Sequence, residues 1–247
     1  MMSDNSLFNK HKKKIIVGLL LLIVLIIIIY YLNIDWGHSV LYDNYDYFYG
    51  SKNKMVGYEK IKDSNKGIQY SYSLFIRTDN IPANAHWEEN ANNLKVIIEH
   101  EGTPTILYSR KDNSLIIQIY YKNKNNVLTP YEIIFEDLES QMWLHIVIVV
   151  DNQNVCVYKN KVLEKCISLE GVPWRSNKMF YIGYPTDNFN GYIGYIDYFN
   201  YPIKPDKVYR YYKKHMSKLP NKLMSYEEYE YLKKMDGNSN FNLFNKT

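Results

Sequence analysis

Cysteine is scarce. The 247 residues hold two, Cys156 and Cys166, too few for a multi-disulfide scaffold or a four-cysteine zinc site. Alanine occurs three times, while 11 glycines and 8 prolines exclude a collagen-like or proline-rich chain. No two histidines stand at a His-x3-His spacing, so the commonest zinc-helix pattern is missing. What fills the space is asparagine (27), isoleucine (27), lysine (26) and tyrosine (26), together 106 of 247 residues. Codons for these four are A/T-rich and alanine codons are G/C-rich, so the bias reads first as the imprint of an AT-rich genome. No single tyrosine or lysine can then be taken as a designed feature. Charged residues at 23% and aromatics at 16% leave ample material for a core and exclude global disorder. The length fits one large domain or two small ones, with no need of a metal or disulfide staple.

One uncharged apolar run exists, Ile15–Leu32. Eighteen residues in a helix span roughly 27 Å, close to the hydrocarbon thickness of a bilayer. Tyr30, Tyr31 and Trp36 fit an interfacial aromatic belt. A cleaved signal peptide is the competing reading, but no small-x-small site follows the run. Lys10, Lys12, Lys13 and Lys14 precede it and Asp35 follows it. The expectation is therefore a basic cytosolic tail over 1–14, a signal-anchor helix over 15–32, and the remainder on the luminal or extracellular side.

Beyond a connection with the first strands (33–68), short β-type runs follow one another. They are Gln69–Arg77, Leu94–His100, Thr105–Ser109, Ser114–Tyr121, Tyr131–Phe135, Met142–Asp151, Asn154–Lys159, Val162–Ile167, Met179–Tyr184 and Gly191–Asn200. Asn- and Asp-rich turns separate them, a pattern of sandwiches and barrels. Trp143–Val150 is apolar on both faces apart from His145, as in a central strand. Asn160-Lys161 predicts a two-residue hairpin turn. The extension 204–247 predicts one or two helices. The first starts at Pro205, with Val208, Tyr211, Tyr212, His215 and Leu219 on one stripe and Lys207, Arg210, Lys213, Lys214 and Lys218 on the other. A second begins at Ser225 with a Ser-x-x-Glu capping box.

Three stretches carry a resemblance: Tyr70–Arg77, Trp143–Asp151 with Val155–Val162, and Phe189–Val208. Their order resembles the concanavalin A-like, laminin-G-like jelly roll, with Phe75 where tryptophan is common and Lys161 where glycine is usual. The resemblance covers roughly residues 41–212, with 69–203 as its body. It implies an all-β sandwich of two antiparallel sheets. It does not imply one function, because this fold hosts lectins, hydrolases, adhesion modules and scaffolds.

Hydrolysis of glycans needs two carboxylates about 5–5.5 Å apart for retention. The Glu-x-Asp-x-(x)-Glu run of such enzymes is absent. Glu99 and Glu101 have alternate spacing, but Gly102 and Pro104 end that strand. No catalytic residue is assigned, and the expectation is a non-enzyme. Sugar binding stacks aromatic faces, and Trp87, Trp174, Tyr184 and Phe189 lie in or beside expected loops. Each is a candidate contact or, on the plainer reading, a rim or core aromatic. Laminin-G-like domains often bind calcium through loop oxygens, which makes Asp112, Asp151 and Asp187 weak candidates. Asp-Asn pairs that simply make turns explain them as well. Cys156 and Cys166 flank the hairpin. A regular turn sets them diagonal and a one-residue bulge sets them opposite, so a disulfide and two free thiols both stand.

The expected function is a single-pass membrane protein whose lectin-like ectodomain binds a glycan or protein. The alternative is a structural component of a membrane or virion. The AT-rich bias and plain anchor-plus-domain plan look like those of a large DNA virus; a protist source fits the same bias. Residues 1–14 hold four lysines and one aspartate, while residues 33–247 hold 26 basic and 25 acidic side chains. The net charge of +4 is thus mostly the anchor's topology signal, and no nucleic-acid partner is expected.

Overall fold

In a computed structural model, residues 15–28, 35–48, 52–78, 94–139, 141–184, 189 and 191–220 are described. The chain divides into two compact units, Met1–Trp36 and Gly37–Thr247. In the first, residues 15–28 form a helix, α1, with its apolar side chains exposed. Among the described residues no helix is long and apolar enough to cross a membrane. The 14 described residues of α1 rise about 21 Å against a core of about 30 Å. Residues 29–32 of the expected span, like the basic tail 1–14, lie outside the described residues.

Among its described residues the second unit is all β apart from short helical pieces. In chain order its described strands are β1 (His38–Phe48), β2 (Lys54–Val56), β3 (Gln69–Thr78), β4 (Leu94–Glu99), β5 (Thr105–Ser109), β6 (Ser114–Lys122) and β7 (Leu128–Phe135). They continue as β8 (Leu144–Asp151), β9 (Asn154–Lys159), β10 (Val162–Ser168), β11 (Val172–Pro173), β12 (Phe180–Ile182) and β13 (Gly191–Phe199). A helix, α2 (Pro205–Met216), follows. One sheet runs β1-β13-β3-β8-β9-β10 and the other β11-β6-β5-β4-β12-β2, with β7 paired to β6. Every pairing is antiparallel. The expected strands are present with small shifts at their ends. Three segments outside the expected runs, β1, β2 and β11, join the sheets; β1 and β2 fall in 33–68, where first strands were expected but not located. β1 hides from a period-two reading because its register breaks twice, between Val40 and Tyr42 and between Tyr42 and Tyr45.

The sandwich core follows from alternation. Tyr70, Tyr72, Leu74 and Ile76 on β3 and Ile146, Ile148 and Val150 on β8 meet Ile97, Ile106, Leu115, Ile117 and Ile119 of the other sheet in one buried cluster. The other face of β3 and β8 carries Ser71, Ser73, Phe75, His145 and Val147, and α2 covers that face. Val208 packs with Val147, Val149, Tyr158 and Phe199. Leu219, just past the helix, packs with Phe75, Trp143 and Tyr192. Pro220 accepts a 3.1 Å hydrogen bond from Trp143 Nε1. The expected apolar stripe of the helix is thus the one that packs. A second helix from Ser225 would lie outside the described residues.

A bulge aims the polar groups under α2. Tyr195 has φ of 46°, a conformation costly for a bulky side chain. The β13 register to β3 shifts between Gly194 and Asp197. The shift of phase puts Asp197, cross-strand from Ser73, on the helix-covered side. There Asp197, 2% exposed, accepts a 2.6 Å hydrogen bond from His38 Nε2 and lies 3.3 Å from His215 Nε2 of α2. Burial raises the Asp197 carboxyl, but the two histidines outweigh it and hold it below the usual carboxylate range.

Candidate functional site

With α2 on one outer face of the sandwich, the outer face of the other sheet is the more open one among the described residues: its β6 positions are partly exposed, although Thr105 and Leu107 of β5 are buried. Along β6, Leu115, Ile117, Ile119 and Tyr121 enter the core while Ile116, Gln118, Tyr120 and Lys122 point out. Cross-strand register then strings one row of side chains across six strands. It reads Met55, Tyr181, Glu99, Thr105, Gln118 and Glu132, from β2 through β12, β4, β5 and β6 to β7. A parallel row, Val96, Leu107, Ile116 and Ile134, is aliphatic. The open face is therefore a band of hydrogen-bonding groups bordered by an apolar strip.

The band is pre-ordered. Thr105 Oγ1 donates to the Glu99 carboxylate at 3.0–3.1 Å and accepts from the Gly102 amide at 3.0 Å. Gln118 Nε2 donates to Glu132 Oε1 at 2.8 Å. Burial is the largest influence on Glu99 and raises its pKa, opposed by Thr105 and by the backbone amides of Glu101 and Gly102. The turn after β4 closes over one end of the band. Gly102 has φ of +76°, and a Cβ there would lie 1.9 Å from Tyr120 Cδ2, so the ring rests on a position only glycine allows. Tyr120 donates its amide to Gly102 and accepts the Trp174 amide on its carbonyl, at 2.8 and 2.7 Å.

Of the four aromatic candidates, the structure brings Trp174 to this face. It is half-buried beside Tyr120, with Lys122 Nζ 5.1 Å from its ring centroid. Tyr184 is exposed and contacts Tyr181 edge-on, with centroids 6.1 Å apart. Phe189 is a correction. It is fully buried in the main core against Tyr108 and cannot meet a ligand. Trp87 lies outside the described residues. Sequence reasoning missed Gln118, Tyr120, Tyr181 and Glu132. The alternation of Ser114–Lys122 was the available signal, but alternation alone cannot say which face stays uncovered.

Two of the calcium candidates, Asp112 and Asp151, stand in separate turns. Asp112 accepts from Ser109 Oγ in the β5–β6 turn, and Asp151 accepts from Gln69 and Asn152 at the start of the β8–β9 turn. Asn113 and Asn152 beside them take positive φ, the turn role that asparagine fills readily. Asp187 lies outside the described residues. Among the described residues no group of three or more His, Cys, Asp or Glu could hold a metal ion. Glu99 and Glu101 are also separately employed. Glu101 sits in a left-handed turn and is held by Ser176 and Lys178, whose hydrogen bonds lower its pKa. Cys156 and Cys166 face each other across β9–β10 and form a disulfide, brought into register by a bulge at Glu164.

No protein-family model matches the chain, and no curated protein matches it in sequence. Solved structures do share its fold. A botulinum neurotoxin serotype D binding domain is 12% identical with a TM-score of 0.53, over 72% of this chain and 47% of that one. The serotype D ligand-binding domain in complex with N-acetylneuraminic acid is 14% identical with a TM-score of 0.51, over 73% and 45%. The serotype G binding domain is 15% identical with a TM-score of 0.50, over 70% and 47%. At this identity the likeness is one of fold alone. The chain spans less than half the length of these domains.

Proposed function

We propose that the chain is a non-catalytic binding protein whose open sheet face takes a glycan or protein ligand. The observation that carries this reading is the row from Tyr181 to Glu132. It offers the carboxylates of Glu99 and Glu132 and the amide of Gln118, ordered before any ligand arrives and flanked by Tyr120 and Trp174, with the buried Thr105 hydroxyl bracing Glu99 from beneath. Paired hydrogen-bonding groups beside aromatic rings suit sugar hydroxyls and the apolar face of a pyranose ring. The fold likeness to a domain complexed with N-acetylneuraminic acid supports a binding role by analogy only. The sandwich is read as the concanavalin A-like, laminin-G-like form. Residues 15–32 are read as a signal anchor with the N-terminus cytosolic, and the membrane as a cellular or virion one. The apolar run, its basic flank and the disulfide support that topology.

A glycan array probed with the chain in detergent, with and without calcium, tests the ligand. Gln118→Ala and Trp174→Ala are expected to lower any signal at least tenfold while folding stays intact. Absence of binding to every glycan by a folded chain refutes the glycan version. Retention in the membrane pellet after alkaline carbonate extraction tests the anchor. The competing reading, a scaffold, draws on edge strand β10, where Val162 and Leu163 are exposed. Crosslinked oligomers in intact membranes, without ligand binding, would favour it.

A further inference from the structure

The bases of the second unit are unevenly placed. Residues 37–247 hold 26 basic and 24 acidic side chains, yet Lys204–Lys218 alone holds six bases against one acid, Asp206. Asp206 is itself paired with Arg210 at 2.8 Å. Packing fixes where these bases go. Val208 and His215 turn inward, so Lys204, Tyr209, Arg210, Lys213, Lys214 and Lys218 are left exposed on one surface. The β9–β10 hairpin adds another. Lys161 holds φ of 71° at the turn, and its Nζ reaches 5.1 and 5.8 Å from the Tyr212 and Tyr209 ring centroids. Tyr209, half exposed, stands among the bases. The opposite outer face of the sandwich is the one that carries Glu99 and Glu132.

We infer that the exposed face of α2 is an electrostatic docking surface for an anionic lipid bilayer, which turns the open sheet face away from that bilayer. A basic helix with an exposed aromatic is a pattern of membrane surfaces, where each base near an anionic leaflet strengthens binding about fivefold. Tyrosine suits the headgroup depth. A soluble polyanion needs bases but not this aromatic, and the exposed apolar α1 in the same chain favours the bilayer. The inference rests on the reading that the chain resides at a membrane, and it requires anionic lipid in the leaflet that faces residues 33–247, because the proposed topology puts α2 on the non-cytosolic side.

The test uses the full chain reconstituted into vesicles. Because Cys156 and Cys166 are joined, Tyr209→Cys and Ile134→Cys each supply a lone thiol for a fluorophore. Ile134, 48% exposed, reports the open face. With a quencher on the lipid headgroup and about one-third phosphatidylserine, the label at position 209 is expected to be quenched and that at 134 not. Quenching should vanish in neutral vesicles and at about 1 M salt, where screening acts within about 3 Å. Combined Arg210→Gln, Lys213→Gln and Lys214→Gln should weaken docking on the order of 100-fold. Equal quenching in neutral and anionic vesicles overturns the inference. So does binding to heparin without quenching on anionic vesicles, which reassigns the face to sulfated saccharides. Carbonate extraction of the same vesicles separates the two failures: a chain retained but not docked leaves the anchor standing, and a docked chain that is extracted leaves only the surface standing.

Discussion

His145 sets a pH dependence whose size can be worked out. Its ring lies under α2, stacked on Phe75 at 4.4 Å, and shares a 2.9 Å hydrogen bond with Ser73 Oγ. Burial pushes its pKa down to about 3, with the charge of His215 adding to the effect and Asp197 opposing it. In the unfolded chain it titrates near 6.5. Between those values the unfolded chain carries one more proton than the folded one, so stability falls as pH falls. Its contribution is whole above pH 6.5 and is drained progressively towards pH 3. At pH 5 the loss relative to pH 7.5 is about 2 kcal/mol. The perturbation is His145→Gln, which can keep a hydrogen bond to Ser73 but cannot charge. Urea unfolding followed by circular dichroism at pH 7.5, 6.0 and 5.0 measures it. The variant is expected to be less stable than the parent at pH 7.5, for loss of the stacked ring. The gap should close by about 2 kcal/mol at pH 5. Asp197 sits below the usual carboxylate range, and groups that do not interact with His145 cancel in the difference. Parallel pH profiles for parent and variant would refute the assignment of a neutral buried imidazole.

Other outcomes follow from the same geometry. Asp197→Ala leaves His38 and His215 facing a void and should cost roughly 3–5 kcal/mol in unfolding free energy. Phe189→Ala should cost about 3–5 kcal/mol in denaturation, whereas Trp174→Ala should leave the unfolding midpoint nearly unchanged and act on ligand binding. Gly102→Ala forces a Cβ against Tyr120 and should destabilise by about 2 kcal/mol or more while distorting the band, read by unfolding and array signal together. Cys156→Ser with Cys166→Ser releases a separation of 10 residues and should lower stability by about 2–3 kcal/mol, an upper figure because the hairpin already limits the unlinked ends.

The fold was legible where one face of a strand is apolar and the other is not. Gln69–Arg77 and Ser114–Tyr121 read as strands from β-type residues between turn signals, and the structure places both with one more residue at the C-terminal end. β1 was hidden because Asp43, Asn44, Tyr45 and Asp46 follow no period, and its two register breaks are visible only against β13. The hairpin at Asn160-Lys161 was legible from asparagine, but lysine at φ of 71° was not. Its place is understood only once Tyr212 of α2 is beneath the ammonium.

The site was less legible, for a different reason. Sequence reading sought ligand aromatics in loops, and loops are where Phe189 seemed to be. A residue flanking a turn can still be the last inward position of the core, and Phe189 fills the space beside Tyr108. Conversely, Gln118 and Tyr120 looked like ordinary outward residues of a strand. What gives them meaning is the partition of the two outer faces. The Tyr195 bulge buries Asp197 beneath α2, and His38 and His215 hold the helix there. The described part of the C-terminal extension is thereby committed to the six-stranded sheet, and the row from Met55 to Glu132 keeps all its members but Thr105 at least partly exposed. A scaffold has no need to keep Glu99 and Gln118 ordered and partly accessible, since apolar residues would be simpler there. The order of Glu99 and Gln118 on the more open face is what the proposed ligand site rests on.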